Sequence, residues 1–288
     1  MRVLVTGARG QLGQDCVAAF GDGDVIAAGR NVVDLSDPPA ARAAVIELRP
    51  DVVVNCAAYT AVDKAESEPE LAATVNEAGA RAIAQACGAI GARLIHISTD
   101  YVYDGTKPSA YVETDQTNPL SVYGRTKLAG DVGVIEEVGL DGCVIMRTSW
   151  VCGQHGNNMI KTVLNLMAAD PTRQLKFVDD QIGHPSITSG LASMIRTLAH
   201  HELGGIFHVT HQGAVSWYEF VAEILAMGGY SRDQVQPISS AELSPPRPAV
   251  RPMNSVLDNA ALRASGIALL PDFRDVLPDV ISAIRAAR

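Results

Sequence analysis

No stretch of this 288-residue chain approaches the roughly 18 uninterrupted apolar residues that a membrane-crossing helix requires. Nor does it open on a basic segment followed by a long apolar run and a cleavage site. Arg2 to Val5 enters a strand pattern at once, so a cytoplasmic protein is expected. Cysteine is scarce and unpatterned. Cys16, Cys56, Cys87, Cys143 and Cys152 are odd in number, lack any CxxC spacing and sit mostly in apolar runs, which favours buried free thiols over disulfides or zinc ligands. A basic excess is also missing. The 23 Lys and Arg are outnumbered by 32 Asp and Glu, which argues against a nucleic-acid partner but leaves room for a few arginines around an anionic small molecule. There is no internal repeat. The one biased stretch, SPPRPAVRP at 244–252, is too short for a disordered domain and reads as an extended ordered loop.

What is present is an alternation. Short apolar runs at 3–5, 25–28, 52–56, 94–97 and 144–146 read as buried strands, and helical patterns lie between them near 11–20, 39–48, 69–90 and 120–138. Nearly continuous apolar strands alternating with helices predict an α/β fold: a Rossmann-type, doubly wound parallel sheet covered on both faces. After Trp150 the rhythm changes to helices near 157–169, 187–201, 216–228 and 272–286 with brief strands near 174–178 and 206–210. The expected division is a dinucleotide-binding domain over 1–149 and a smaller, mostly helical substrate lobe over 150–288. The two are interwoven, later segments returning to the first, and the lobe covers the carboxyl edge of the sheet, where open α/β sheets bind ligands.

The segment TGARGQLG at 6–13 follows the first strand and opens the first helix. Its GxxGxxG spacing differs from GxGxxG, but the physics is shared. Gly7, Gly10 and Gly13 permit a tight turn and close backbone approach, and the helix N-terminus offers free N–H groups to a pyrophosphate. Arg9, Gln11 and Leu12 lie within the same turn. An NAD-preferring site carries an acidic residue at the end of the second strand to hold the ribose hydroxyls; here that place holds Arg30. Arg9 and Arg30 together suit a 2′-phosphate, which favours NADPH, with NADH possible, unless both point to solvent. Asp34 and Leu35 either hold the adenine ring or begin the next turn. Ala58, Tyr59 and Thr60 follow the third strand, where a dinucleotide would pass.

Ser98, Thr99 and Asp100 follow the fourth strand, and Tyr123 and Lys127 stand four residues apart at the start of a helix for which Asn118 or Ser121 is the cap. An ammonium beside a phenol lowers the phenol's pKa from its reference of about 10. Tyr123 is then a general acid, Thr99 a hydroxyl that bonds a carbonyl oxygen, and Lys127 both an acidifier of Tyr123 and a holder of a nicotinamide ribose. This is the equipment for reducing a ketone.

In this order, GxxGxxG, strand-end Ser/Thr and YxxxK resemble the extended short-chain dehydrogenase/reductase superfamily. NCAAYTAVDKAESEP at 55–69, STDYVYDG at 98–105, NPLSVYGRTKLAG at 118–130, RTSWV at 147–151, GNN at 156–158, DQIGHP at 180–185 and RPMNS at 251–255 narrow the resemblance to the dTDP-4-dehydrorhamnose reductase family. It implies reduction of the 4-keto group of dTDP-4-dehydro-β-L-rhamnose to dTDP-β-L-rhamnose. Thr99, Tyr123 and Lys127 would be catalytic, and the cofactor would meet Gly10 to Leu12, Asp34, Leu35 and Ala58 to Thr60. Thr99, Asp100, Tyr101 and Trp150 would meet the nucleotide-sugar, with Arg247 or Arg251 pairing with its diphosphate. The family also implies Mg2+ held by two glutamates at a dimer contact. Here those places hold Asp15 and Ser189, so Asp15 alone is a weak metal candidate and the chain is expected to be a monomer or a weak homodimer.

Other striking residue types have plain explanations. His200 and His201 end a helix, His208 and His211 flank a short strand, and Trp217 and Tyr218 read as packing. His184 is open to substrate contact. Two rivals stand beside the reductase: a related deoxysugar reductase, epimerase or dehydratase, and a non-catalytic regulatory subunit of the same fold.

Overall fold

The computed structural model describes residues 1–21 and 23–287. Its main sheet contains β1 (Arg2–Thr6), β2 (Asp24–Ala28), β3 (Val52–Asn55), β4 (Arg93–Thr99), β5 (Cys143–Thr148) and a last strand, Gly205–His208. In space the order runs from Gly205–His208 through β5, β4, β3 and β1 to β2, with every neighbouring pair parallel. The winding reverses between β1 and β3, and a ligand crevice opens outside the carboxyl ends at such a reversal.

Period-two alternation divides each strand between two cores. Val3, Val5, Val52, Val54, Ile95, Val144 and Met146 face one, where Leu12 and Cys16 of α1 (Gln11–Ala19) meet Leu191, Ile195 and Leu198 of the helix Thr188–His200. Leu4, Val53, Leu94, Cys143 and Ile145 face the other, packed against Val45 of α2 (Pro38–Leu48), against Ile83 and Cys87 of the helix Ala80–Ile90, and against Val134. Each fully buried aliphatic side chain contributes roughly 1.5–3 kcal/mol, so the strands are held from both sides. A third core, with Ile160, Leu164, Phe220, Leu225, Phe273 and Ile281, joins the helices Met159–Ala169, Trp217–Met227 and Phe273–Ala286. The chain crosses between these bodies more than once: Thr188–His200 and Gly205–His208 follow residue 150 yet belong to the main sheet and its covering layer. Among the described residues, no helix is long and apolar enough to cross a membrane.

Local chemistry sets the helix starts. Asp37 accepts from the N–H of Ala40 ahead of Pro38, which occupies a position whose own N–H would be unpaired. Ser121 accepts from the N–H of Gly124 and starts the helix Val122–Gly142, which breaks at Gly139 (φ 72°). Asn118, the alternative cap, instead donates to Asp104. The helix expected over 69–90 is three pieces: Pro69–Ala73, a π-helical segment Thr74–Gly79, and Ala80–Ile90. The π segment carries Asn76, whose side chain accepts from the N–H of Tyr59 and donates to the Tyr59 carbonyl and to Thr126 Oγ1. It thereby ties the loop after β3 to the helix of Tyr123.

Gly130 lets that helix approach closely, since a Cβ there would lie 2.1 Å from the Asn76 carbonyl oxygen. An exposed helix glycine changed to alanine gains about 1 kcal/mol. Gly130→Ala is expected to cost about 1–3 kcal/mol through overpacking. Gly88→Ala, where the added carbon meets only ordinary contacts, is expected to be neutral or stabilising. Denaturant unfolding of the two variants checks the opposite signs.

Candidate functional site

A cleft of about 1240 Å³ runs along the carboxyl edge of the sheet. One end is built by the glycine turn. Gly7 sits at φ 61°, and a Cβ on it would lie 2.8 Å from the Ala57 nitrogen. A Cβ on Gly13 would lie 2.2 Å from the Gly7 carbonyl oxygen, so Gly13 acts through backbone packing and is not part of the lining. Gly10 caps α1 without any side-chain hydrogen bond. Gly10, Gln11 and Leu12 border the cleft, so the first-turn N–H groups of α1 are available to an anion.

Arg9 and Arg30 line the same end, beyond β2. The Arg9 guanidinium leans over Gly29, whose Cβ would lie 3.3 Å from Arg9 Nε. Arg30 is largely exposed and stands 3.8 Å from Asp34. Asp34 borders the cleft and also makes a turn: it accepts from the N–H and hydroxyl of Ser36 at 2.9 and 2.7 Å, and these bonds hold its pKa below the ordinary value. Leu35, Ala58 and Thr60 line the wall. Tyr59 does not; its hydroxyl donates to Glu68 at 2.7 Å, which directs the ring away from the cleft.

At the centre, β4 and the helix Val122–Gly142 bring Thr99, Asp100, Tyr101, Tyr123 and Lys127 together. Strand alternation separates Ser98 from Thr99. The Ser98 hydroxyl donates inward to Asp131 at 2.8 Å, whereas Thr99 bonds Asp100 Oδ1 at 3.0 Å and partners the Tyr123 phenol. The Tyr101 ring meets Tyr123 edge-on, with 5.5 Å between centroids. Burial pushes Asp100 up to about 6, against hydrogen bonds from Ser255 and Thr99.

The acidification of Tyr123 expected from Lys127 is corrected here. Burial raises the Tyr123 pKa, Thr99 opposes the shift, and Asp100 adds to it. Lys127 Nζ instead donates to the Ile97 carbonyl at 2.7 Å and lies 3.2 Å from His96 Nε2. Its own pKa is lowered to about 8 by burial, with Asp131 opposing. The phenol therefore keeps its proton at neutral pH, and the lysine is the group poised to lose one.

The far end is aromatic. Trp150, at φ 44°, stacks on Trp217 with centroids 3.7 Å apart and planes 9° apart, and both line the cleft. Trp217 is thus more than packing. Arg251 lies outside the lining: its fork donates to both Asp63 oxygens at 2.9 and 2.8 Å, a pairing any diphosphate would have to share. His184 is buried and bonded to Thr210 at 3.2 Å, which gives it a structural partner. Asp15 Oδ1 stands 3.5 Å from His155. Among the described residues, no group of three or more His, Cys, Asp and Glu is placed to hold a metal ion.

A family profile described as the RmlD substrate binding domain matches residues 1–286. The chain belongs to the dTDP-4-dehydrorhamnose reductase family. It is 42% identical to a dTDP-4-dehydrorhamnose reductase of Streptomyces griseus, over 100% of this chain and 96% of the relative. It is 37% identical to a dTDP-4-keto-6-deoxy-D-glucose reductase of Streptomyces niveus, over 99% and 98%. A crystal structure of a dTDP-4-dehydrorhamnose reductase from Bacillus anthracis in complex with NADP superposes with TM-score 0.92 at 35% identity, covering 98% of each chain. Asn31, Ser149, Asn157 and Trp217 also line the cleft, outside the set that the sequence marks as site residues. GNN at 156–158 was the available signal for Asn157; Asn31, beside Arg30, carried none.

The chain has two tryptophans, and both are in this stack. Binding of a ligand that reaches the aromatic end is expected to change the intrinsic fluorescence of the wild type and to change that of Trp217→Phe less. Titrations with a dTDP-sugar and with the cofactor alone measure the difference.

Proposed function

We propose that this protein reduces the 4-keto group of dTDP-4-dehydro-β-L-rhamnose to give dTDP-β-L-rhamnose, using NADPH. The observation that carries this reading is the convergence of Thr99, Tyr123 and Lys127 in one cleft that has an uncapped helix N-terminus at one end and a tryptophan stack at the other. The glycine cradle, the open N–H groups of α1 and the two arginines beyond β2 fit a phosphorylated dinucleotide. Residues 1–149, with the returning helix and strand, would hold it, and the lobe from residue 150 would seat the sugar.

Bound NADPH supplies the hydride to the carbonyl carbon. Thr99 and Tyr123 orient the carbonyl oxygen, and the Tyr123 proton moves to that oxygen as negative charge gathers on it. Burial keeps the phenol protonated until then, and Lys127, buried and poised near pH 8, restores the proton. Trp150 offers an indole face to a deoxysugar. Mg2+ has no part in this scheme.

The assay follows NADPH oxidation and identifies the product by NMR. Wild-type protein is expected to reduce C4; no turnover, or a change at C3 or C5 without reduction, refutes the proposal. Running dTDP-4-keto-6-deoxy-D-glucose in parallel tests the activity named for the Streptomyces niveus relative. Tyr123→Phe is expected to lower kcat by about 10²–10⁴-fold while NADPH affinity stays nearly unchanged, and equal losses of both would make Tyr123 structural. Arg30→Asp is expected to move preference toward NADH. An unchanged ratio of kcat/KM for the two cofactors removes Arg30 from 2′-phosphate recognition.

A further inference from the structure

Tyr123, Lys127 and Asp131 follow one another at four-residue spacing on the helix Val122–Gly142 and so share a face. Against it lies His96 of β4, in register with Asn55 of β3 and Ile145 of β5. His96, Lys127 and Asp131 are each at most 2% exposed. The hydrogen bonds around Asn55 favour one tautomer of the histidine. Thr6 Oγ1 accepts from the Ala57 N–H at 3.3 Å and gives its proton to Asn55 Oδ1 at 2.6 Å. That orients the Asn55 amide, so its Nδ2 donates to His96 Nδ1 at 3.0 Å. A neutral imidazole accepting at Nδ1 carries its proton at Nε2, and Nε2 stands 3.2 Å from Lys127 Nζ and 3.7 Å from Asp131 Oδ1.

Building on the proposed reaction, we infer that His96 is a positioning residue for Lys127: it holds the lysine head against the Ile97 carbonyl and donates its Nε2 proton to the neutral amine. An ammonium cannot donate to a nitrogen that already bears hydrogen, so while Lys127 is charged the nearest acceptor to the His96 N–H is Asp131 Oδ1, 3.7 Å away and without a hydrogen-bond partner of its own among the described residues. In the reaction the Tyr123 O–H bond breaks as the substrate O–H bond forms. A Lys127 N–H proton then passes to the phenolate, leaving a lone pair on Nζ. The His96 N–H meets that lone pair, and solvent later restores the ammonium. The arrangement favours the amine that the transfer leaves behind.

The charged and titratable groups around Lys127 set the balance on which His96 acts. From its own helix, Asp131 favours the ammonium, and so does Cys56 from beyond β3. Arg147 of β5, 3.4 Å from Asp131 Oδ2, draws on that carboxylate, as does the Ser98 hydroxyl of β4. Tyr123 lies one turn away on the same face. Burial and Lys127 together hold His96 far below its ordinary value, so it stays neutral and acts as a fixed donor across the working pH range.

Two substitutions separate its two bonds. In His96→Asn the amide oxygen can still accept from Asn55, but no donor reaches Lys127. In His96→Gln the amide nitrogen reaches toward Lys127 and the bond from Asn55 is lost. The chain has five lysines, so Lys127 can be followed by NMR of isotopically labelled lysine in the free and NADP+-bound protein, assigned with Lys127→Arg. In His96→Asn, Lys127 is expected to titrate about half a pH unit or more above wild type, with the alkaline limb of kcat moved the same way. Its kcat at pH 7 is expected to fall about tenfold, the scale of one hydrogen bond, with KM for NADPH changed less than about twofold. His96→Gln is expected to restore the titration and most of the rate. An unmoved titration in His96→Asn, or equal shifts in both variants, overturns the assignment, as do rate losses that only follow melting temperature. Wild-type protein that turns over no keto-sugar nucleotide defeats the proposed reaction, and the lysine titration then still decides the role of His96.

Discussion

Three formal charges, on Lys127, Asp131 and Arg147, are enclosed between one helix and two central strands, each at most 3% exposed. Removing an ion from water costs several kcal/mol even after relaxation, so the rest of the site is arranged around that burden. Asp131 is shared by the Ser98 hydroxyl and Arg147. Arg147 also donates to the Tyr103 hydroxyl, which bonds His208 of the last sheet strand. Burial still wins at the carboxylate, whose pKa is raised despite both cations, and at Lys127, whose pKa is lowered despite Asp131. A lysine close to its titration point and a tyrosine kept protonated thus follow from the same dry environment.

That environment depends on close backbone approach. Gly124 lets the first turn of the helix rest on the Tyr101 carbonyl, where a Cβ would lie 2.3 Å away, and Gly130 does the same at Asn76. With the Asn76 bonds to Tyr59 and Thr126, these contacts bring the loop after β3, the end of β4 and the helix together. The uncapped start of α1 lies across the crevice, where the N–H groups are left to a ligand.

Much of this was legible in the sequence because it is local. The strand–helix alternation, the glycine turn after β1 and the spacing of Tyr123 from Lys127 depend on residues near one another in the chain. What escaped depends on partners brought from afar. Lys127 reads as an acidifier of Tyr123 until the register of β4 places His96 and the Ile97 carbonyl beside its ammonium. Trp217 reads as the start of a packed helix until Trp150 stacks on it. Arg251 reads as a partner for a diphosphate until its Nη1 and Nη2 are seen to donate to the two oxygens of Asp63, and Tyr59 as a cleft residue until Glu68 claims its hydroxyl. The π-helical segment has no sequence pattern distinguishing it from the helix expected there; its contacts, with Gly130, Tyr59 and Thr126, are all distant in the chain.

The return of Gly205–His208 to the edge of the sheet makes the two bodies inseparable as pieces of chain. A fragment ending near residue 150 would leave the hydrogen-bonding edge of β5 bare and would strip Thr188–His200 from α1, exposing Leu12 and Cys16. Bare strand edges recruit other strands. The second lobe is therefore not a cassette to be exchanged at one junction. Retuning its specificity calls for substitutions made in place, with the threading between lobe and sheet left whole.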